Sequence, residues 1–149
     1  MLKKTLKKEK GFTLIELLAV IVIIAIIAAI AIPAIGNIIQ NSREDGVKSD
    51  ALQILEAAQL YKMEVNPASA DDGTDTTVKA SELETQGYLE LSNDDFNDAE
   101  VNLSAQPITI TVDVQAGNTT LSFDGATKQE INDDESGDDA TTIPNNTNG

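Results

Sequence analysis

A single carboxylate stands at the start of the most apolar part of the sequence. Glu16 follows the residues Gly-Phe-Thr-Leu-Ile at positions 11–15, and residues 17–35 contain no charged or polar side chain. A carboxylate placed inside lipid costs roughly 2.5 to 3.5 kcal/mol on insertion scales. Glu16 therefore needs a partner of opposite charge or a position at the membrane surface, and its chemistry is charge pairing.

The composition removes several kinds of catalytic site. The chain of 149 residues contains no Cys and no His. It therefore has no disulfide framework, no thiolate nucleophile and no Ser-His-Asp triad, and it lacks the side chains that zinc and non-haem iron sites prefer. No pair of carboxylates has a spacing that singles it out as catalytic. We predict that the protein is not an enzyme and holds no cofactor.

The charge is distributed unevenly along the chain. The sequence has 10 basic and 25 acidic residues, a formal net charge of −15. Five of the lysines and one glutamate lie in residues 1–11, which leaves five basic and 24 acidic residues, or −19, in the remainder. So acidic a surface repels polyanions. Direct nucleic-acid binding is not expected, because such affinity comes mainly from neutralised phosphates.

The elements that must position Glu16 begin with a membrane-spanning helix. From Phe12 to Ile35 the apolar segment has 24 residues, against about 20 needed to cross a bilayer. The preceding lysines favour a cytoplasmic N-terminus. Pro33 lacks a backbone N–H and Gly36 follows it, so the sequence predicts a kink or local loosening between residues 29 and 36.

Beyond residue 36 the apolar positions recur at helical spacing. We predict one continuous helix from Phe12 to Val65, because Asn66-Pro67 ends it. Most polar residues of this segment, including Glu44 and Lys48, are expected outside the apolar stripe. The stripe comprises Ile35, Ile38, Ile39, Val47, Ala51, Ile54, Leu55, Ala58 and Tyr61.

A small antiparallel sheet is predicted after a loop at residues 66–79. Alternating residues at 108–114 indicate a half-buried strand, residues 116–118 a turn, and residues 119–123 a returning strand. A third strand is expected near Val101 and Leu103. These elements and the long helix give an α+β fold.

Shorter elements and a tail complete the expected organisation. Ser81 and Glu84 have the spacing of a capping box, and Gly87 is placed to close that short helix. Tyr88, Leu89 and Leu91 are expected in the core, and residues 92–98 as a polar turn. From Asn132 onward the sequence has almost no apolar residue, which predicts a disordered acidic tail.

Two kinds of polar residue are candidates for binding: the Asn- and Asp-rich loops and the basic residues of the long helix. Asn93, Asp95 and Asn97 have the alternate spacing of calcium-loop oxygens, but Asp98 replaces the glycine that an EF-hand turn requires. A solvated loop is favoured over calcium there and at the looser group Asp71, Asp72 and Asp75. The basic residues of the long helix favour ion pairing at i,i+4 and between subunits over DNA contact. They are Arg43, Lys48 and Lys62.

Residues 11–17 resemble the cleavage and methylation signature of type IV pilins and pseudopilins, and match it without a gap. Pro33 also falls where pilins commonly carry a proline. An ordinary signal peptide cleaved at Ala29-Ile30-Ala31, or a plain signal anchor, accounts for the lysines and the apolar run. Neither accounts for Glu16 or for the glycine before the apolar segment. The layout and the lack of cysteines resemble a pilin from a Gram-positive bacterium.

The resemblance implies specific chemistry at the junction. A prepilin peptidase would cut between Gly11 and Phe12 and methylate the new amine of Phe12. Glu16 would then pair with the Phe12 amine of a neighbouring subunit, because a buried carboxylate requires such a partner. The alternative for Glu16 is a side chain that snorkels to the membrane interface in the free monomer.

The implied function is structural. The expected parts are a basic leader (1–11), a transmembrane and assembly helix (12–36), a pilin globular domain (37–131) and the tail (132–149). The expected assembly is a helical homo-oligomer made by an assembly platform and ATPase, in the cytoplasmic membrane first and in an extracellular pilus afterwards. Adhesion or motility is favoured. The alternatives are a competence or secretion pseudopilin and a membrane-anchored binding domain that does not polymerise.

Overall fold

The computed structural model describes residues 5–65, 77–137 and 141–144, with side chains from residue 13 onward. The chain divides into two compact units, Met1–Ile39 and Gln40–Gly149. The described residues of the first unit are all helical. The second contains the rest of that helix and all the described strands. The α+β fold class is confirmed.

Helix α1 (Thr5–Val65) contributes to both units. Its predicted end at Val65 is confirmed. The helix includes Pro33 and is assigned without interruption through residues 29–36. The helix is therefore not broken at Pro33 or Gly36, and the kink or local loosening stays a prediction.

Among the described residues, five strands form one sheet in the second unit, in the order β1 to β5. Neighbouring strands are antiparallel from β1 through β4, whereas β5 runs parallel to β4. The sheet is therefore mostly antiparallel, as predicted. The strands are β1 (Thr77–Lys79), β2 (Glu100–Asn102), β3 (Thr109–Ala116), β4 (Thr119–Thr127) and β5 (Thr142–Ile143).

The core lies between the sheet and the part of α1 that belongs to the second unit. The predicted apolar stripe is buried from Val47 onward, with Tyr61 packed at the edge of the core. Ile35, Ile38 and Ile39 are exposed, at 53%, 64% and 48%. The stripe is therefore covered only where the sheet faces it. From the sheet, the core receives Val101, Ile110, Val114, Leu121 and Phe123.

Several local predictions are confirmed. The loop between β3 and β4 is Gly117-Asn118, and Gly117 has a positive φ of 64°. Helix α2 (Ala80–Thr85) is closed by Gly87, which follows the C-cap residue Gln86 and has a φ of 84°. The amides of Gly87 and Tyr88 donate to the carbonyls of Glu84 and Leu83 at 3.0 and 2.9 Å. This pattern is a Schellman motif, which requires a residue that tolerates positive φ.

One prediction about a short element is wrong, and another misses a buried residue. The N-cap of α2 is Lys79, which makes no capping hydrogen bond, so Ser81 and Glu84 form no capping box. The helix begins earlier because Ala80 is fully buried. The polar turn at residues 92–98 contains a 3₁₀ turn (Asp94–Phe96) whose Phe96 is fully buried. One aromatic among polar residues has no periodicity that would reveal its burial.

The disordered tail is also corrected where the structure describes it. Helix α3 (Lys128–Asp133) runs past Asn132, and β5 pairs with β4 through Ile143, which is fully buried opposite Phe123. A single isoleucine among polar residues has no periodicity that would reveal this two-residue strand in the sequence. Residues 138–140 and 145–149, and the loop at 66–76, lie outside the described residues.

Candidate functional site

The first unit exposes an apolar helix surface. From Thr13 to Ile39 nearly every side chain is exposed, and large residues such as Leu14 (68%) and Ile30 (72%) are uncovered. Within the described ranges, one helix is long and apolar enough to cross a membrane, and no residue of its most apolar stretch is buried. Exposed apolar area on this scale is stable only in lipid or against other protein surfaces.

Glu16 lies near the beginning of this surface and is itself exposed. It follows Phe12 by four residues, so the two positions share one face of α1, about 6 Å apart along the axis. No ion pair between described residues includes Glu16. In a chain that began at Phe12, this carboxylate would belong to the fifth residue, just past the first turn and near the positive end of the helix dipole.

The other predicted residues of the junction lie in the same helix. The backbone at Gly11 and Phe12 is part of α1, and the side chain of Phe12 is outside the described range. At Gly36 an added methyl group would meet nothing within 4 Å. The space around Gly36 therefore does not require a glycine. The helix brings Gly11, Phe12 and Glu16 within two turns of one another and leaves Pro33 and Gly36 several turns away.

The comparison with protein families agrees with this arrangement. A family model described as the prokaryotic N-terminal methylation motif matches residues 6–32, a motif typical of prepilins of type IV pilins and pseudopilins. The match includes Gly11, Phe12 and Glu16. No curated protein and no solved structure matches the chain. The protein thus carries the N-terminal signature of a type IV pilin-like prepilin.

The weak calcium candidates have other contacts. Asn93 caps the 3₁₀ turn, where its Oδ1 accepts from the amide of Asp95 at 3.0 Å. Asp98 is 3.6 Å from the ammonium of Lys79 across an exposed ion pair. Asn97 is the C-cap of the same turn. No cluster of three or more acidic side chains suited to a metal occurs within the described ranges, and Asp71, Asp72 and Asp75 lie outside them.

The expected i,i+4 ion pairs do not form at Lys48, which is buried, or at Lys62, which is partly buried. The ammonium of Lys48 is 2.5 Å from Asp134, which lies 86 residues later. Lys62 donates to the carbonyl of Leu103. Both side chains reach across the domain because the sheet and the segment after α3 cover this part of the helix.

A polar cluster on α1 was missed in the sequence and is mostly buried. Glu44 and Lys48 are each 6% exposed. Their spacing held the signal, since positions 44, 48, 51, 55 and 58 follow each other by four and three residues. This spacing places Glu44 and Lys48 on the apolar stripe itself. A charged residue at a stripe position indicates a buried partner, which the sequence alone does not identify.

Proposed function

We propose that this protein is the structural subunit of a type IV pilus that serves adhesion or motility. The observation that carries the proposal is the methylation motif on an exposed apolar helix. In a filament, residues 12–36 of many subunits would cover one another, while residues 37–131 would face outward. A subunit of this kind needs no catalytic residue, and the proposal assigns none.

The order of events follows from the charges. Residues 1–11 carry five lysines against Glu9, which hold the segment at the cytoplasmic face before processing. A prepilin peptidase would remove them after Gly11 and methylate Phe12. The subunit would then be free to leave the membrane through an assembly platform driven by an ATPase. Glu16 would meet the Phe12 amine of a neighbour as the subunit enters the filament.

Competence and secretion pseudopilins use the same N-terminal chemistry and are the nearest alternatives. The acidic surface of the outer domain favours a surface pilus over a DNA-uptake role, because it repels the phosphate backbone. A membrane-anchored domain that never polymerises is the alternative from another class. Recovery of the protein in filaments sheared from cells separates that alternative from the other three.

The direct test is the N-terminus of the mature protein. We expect intact-mass and N-terminal analysis of membrane-derived protein to show a chain that begins at Phe12 with a methylated amine. Gly11→Leu should block the cleavage because a bulky side chain precedes the cut, and Gly11→Ala should be partly tolerated as the matched control. A chain that begins after Ala31, or one that retains Met1, would contradict the proposal.

A further inference from the structure

Three residues close together on α1 contact a segment from the C-terminal part of the sequence. Glu44, Asp45 and Lys48 contact the residues that follow α3, which we call the strap and define as residues 134–137 and 141–144. Gly137 donates its amide to Glu44 at 2.9 Å, and Ser136 donates its hydroxyl to Asp45. The strap is therefore fastened to the helix by polar contacts at its beginning.

Lys48 makes the largest share of these contacts. Its ammonium lies 2.5 Å from Oδ2 of Asp134 and donates to the carbonyl of Asp134 and to Oγ of Ser136, each at 3.1 Å. An ammonium has three N–H donors, so all three are matched by acceptors from the strap. The side chains of Lys48 and Asp134 are only 7% and 6% exposed. Loss of either partner would leave the other as a buried charge without compensation.

At Gly137 the strap lies too close to α1 to admit a side chain. Gly137 has a φ of 86°, and a methyl group added there would lie 2.6 Å from Oδ1 of Asn41. Glu44 is held for its bond to Gly137 because its other oxygen accepts from Gln40 at 3.0 Å. Gln40 in turn donates to the carbonyl of Ala116 at 2.6 Å. The fastening point is thus continuous with the β3–β4 turn.

The far end of the strap is held by strand pairing and by one buried side chain. Strand β5 has two residues, of which Ile143 is fully buried, and the amide of Ser122 donates to the carbonyl of Thr141 at 2.7 Å. Strands β1 to β4 pair with one another without the strap. Release of the strap would therefore uncover the site of Ile143 and the Ser122 edge of β4 while the rest of the sheet stays paired.

We propose that the strap is a separately opening element and that the buried Lys48–Asp134 pair is its lock. The pair determines whether the β4 edge at Ser122 is covered or available. A chain without cysteines cannot close this segment covalently, and the ion pair performs that closure reversibly. The inference does not depend on the filament proposal, since it concerns contacts within the second unit alone.

Hydrogen exchange of the processed full-length protein in detergent micelles tests the lock. In the unmodified protein, the amide of Ser122 should exchange faster than the amides that join β3 to β4, because local opening needs less free energy than global unfolding. Lys48→Met should accelerate exchange at Ser122 and Gly137 by about 100-fold or more, since one partner of a buried pair is left alone. The amides between β3 and β4 should keep their protection.

Two further variants separate the lock from a general loss of charge or stability. Lys79→Met removes an exposed pair, whose lysine and aspartate side chains are 51% and 95% exposed, and should leave exchange at Ser122 unchanged. Adding Asp134→Leu to Lys48→Met removes both charges of the pair and should restore much of the protection. Unchanged exchange at Ser122 in Lys48→Met, or equal acceleration throughout β3 and β4, would overturn the proposal.

Discussion

Glu16 is the residue on which the proposed assembly depends. In lipid its carboxylate is costly, and among described residues it has no ion pair. The proposed cleavage would supply a cation four residues away, the new amine of Phe12. An amine and a carboxylate buried together between subunits would fix how far one helix is displaced along its neighbour.

We expect Glu16→Gln to abolish filaments while leader removal and the membrane pool remain normal. The amide keeps the shape of the side chain but deletes its charge, and breaking a buried pair in this way costs roughly 3 to 5 kcal/mol. Membrane insertion should be unaffected or easier. The measurement is the yield of sheared filaments from cells in which the variant is the only subunit.

The controls isolate the charge at that position. Glu16→Asp retains the charge on a shorter side chain and should assemble partially. Glu90→Gln removes an exposed carboxylate of the second unit and should assemble normally. Filaments in normal amount from Glu16→Gln would show that the charge pair does not determine the alignment of subunits.

At the residue scale, the sequence predicted positions better than contacts. The apolar stripe identified Ala51, Ile54 and Leu55 as core, because helical spacing determines which side chains share a face. It did not identify Phe96 or the partner of Lys48. Both depend on residues brought together by the chain's long-range path, and spacing along one element carries no information about that path.

At the scale of elements, the N-terminus of α3 is the most completely capped helix end described. Thr127 accepts from the amide of Glu130 at 3.3 Å, and the carboxylate of Glu130 accepts from the amide and hydroxyl of Thr127 at 2.9 and 2.7 Å. This reciprocal arrangement is a capping box. It fixes the direction in which the chain leaves β4 and places Ile131 in the core.

Thr127→Ala should lower the free energy of unfolding by about 1 kcal/mol, the usual cost of losing an N-cap hydroxyl. Chemical denaturation followed by the fluorescence of Tyr61 and Tyr88 measures it, since the chain has no Trp. Ser92→Ala at an exposed loop position is the matched control and should change stability by less than about 0.5 kcal/mol. An effect of equal size in both variants would contradict the role of the cap.

The effect of Thr127→Ala should also depend on pH. The hydroxyl of Thr127, and then its backbone amide, lower the pKa of Glu130 by donating to the carboxylate. A carboxyl group whose pKa is lowered by folding contributes its full stabilisation at pH values above its ordinary pKa, which is about 4.3 for glutamate. This stabilisation is lost as the pH falls through the lowered pKa. The difference between the variant and the unmodified protein should therefore be largest at neutral pH and shrink in acid.

Elements with a clear period were predictable, and those without one were not. Strand β3 alternates apolar and polar residues, and Gly117 marks the turn that follows it, so the hairpin was located from the sequence. Strands β1 and β5 have three and two residues, which is too short for alternation to be recognised. They form because a neighbouring strand offers an edge, and that edge exists only after folding.

At the scale of the whole molecule, exposed apolar side chains and acidic side chains are concentrated in different units. The exposed large aliphatic residues are concentrated in the first unit, whereas the second has its own core. After removal of residues 1–11 the chain has 24 acidic and five basic residues. Charge repulsion between the acidic domains opposes their association. Association of subunits must then be driven by the helices.

A fragment that begins at residue 37 should accordingly be soluble and monomeric. It retains the described sheet and its core and lacks the apolar segment. Sedimentation velocity over a range of concentrations gives the oligomeric state, and the processed full-length chain, which should associate once detergent is removed, is the matched control. Stable filaments from the fragment would show that the outer domain alone is sufficient for assembly.

The Lys48–Asp134 pair bears on the redox conditions under which this protein can fold. Its C-terminal segment is fastened by groups that need no oxidant, because the chain contains no cysteine. Folding of the second unit therefore does not require a thiol oxidase or an oxidising compartment. The finished fold is indifferent to thiol reductants at any concentration. Such a domain is suited to a cell surface whose redox conditions change from one environment to the next.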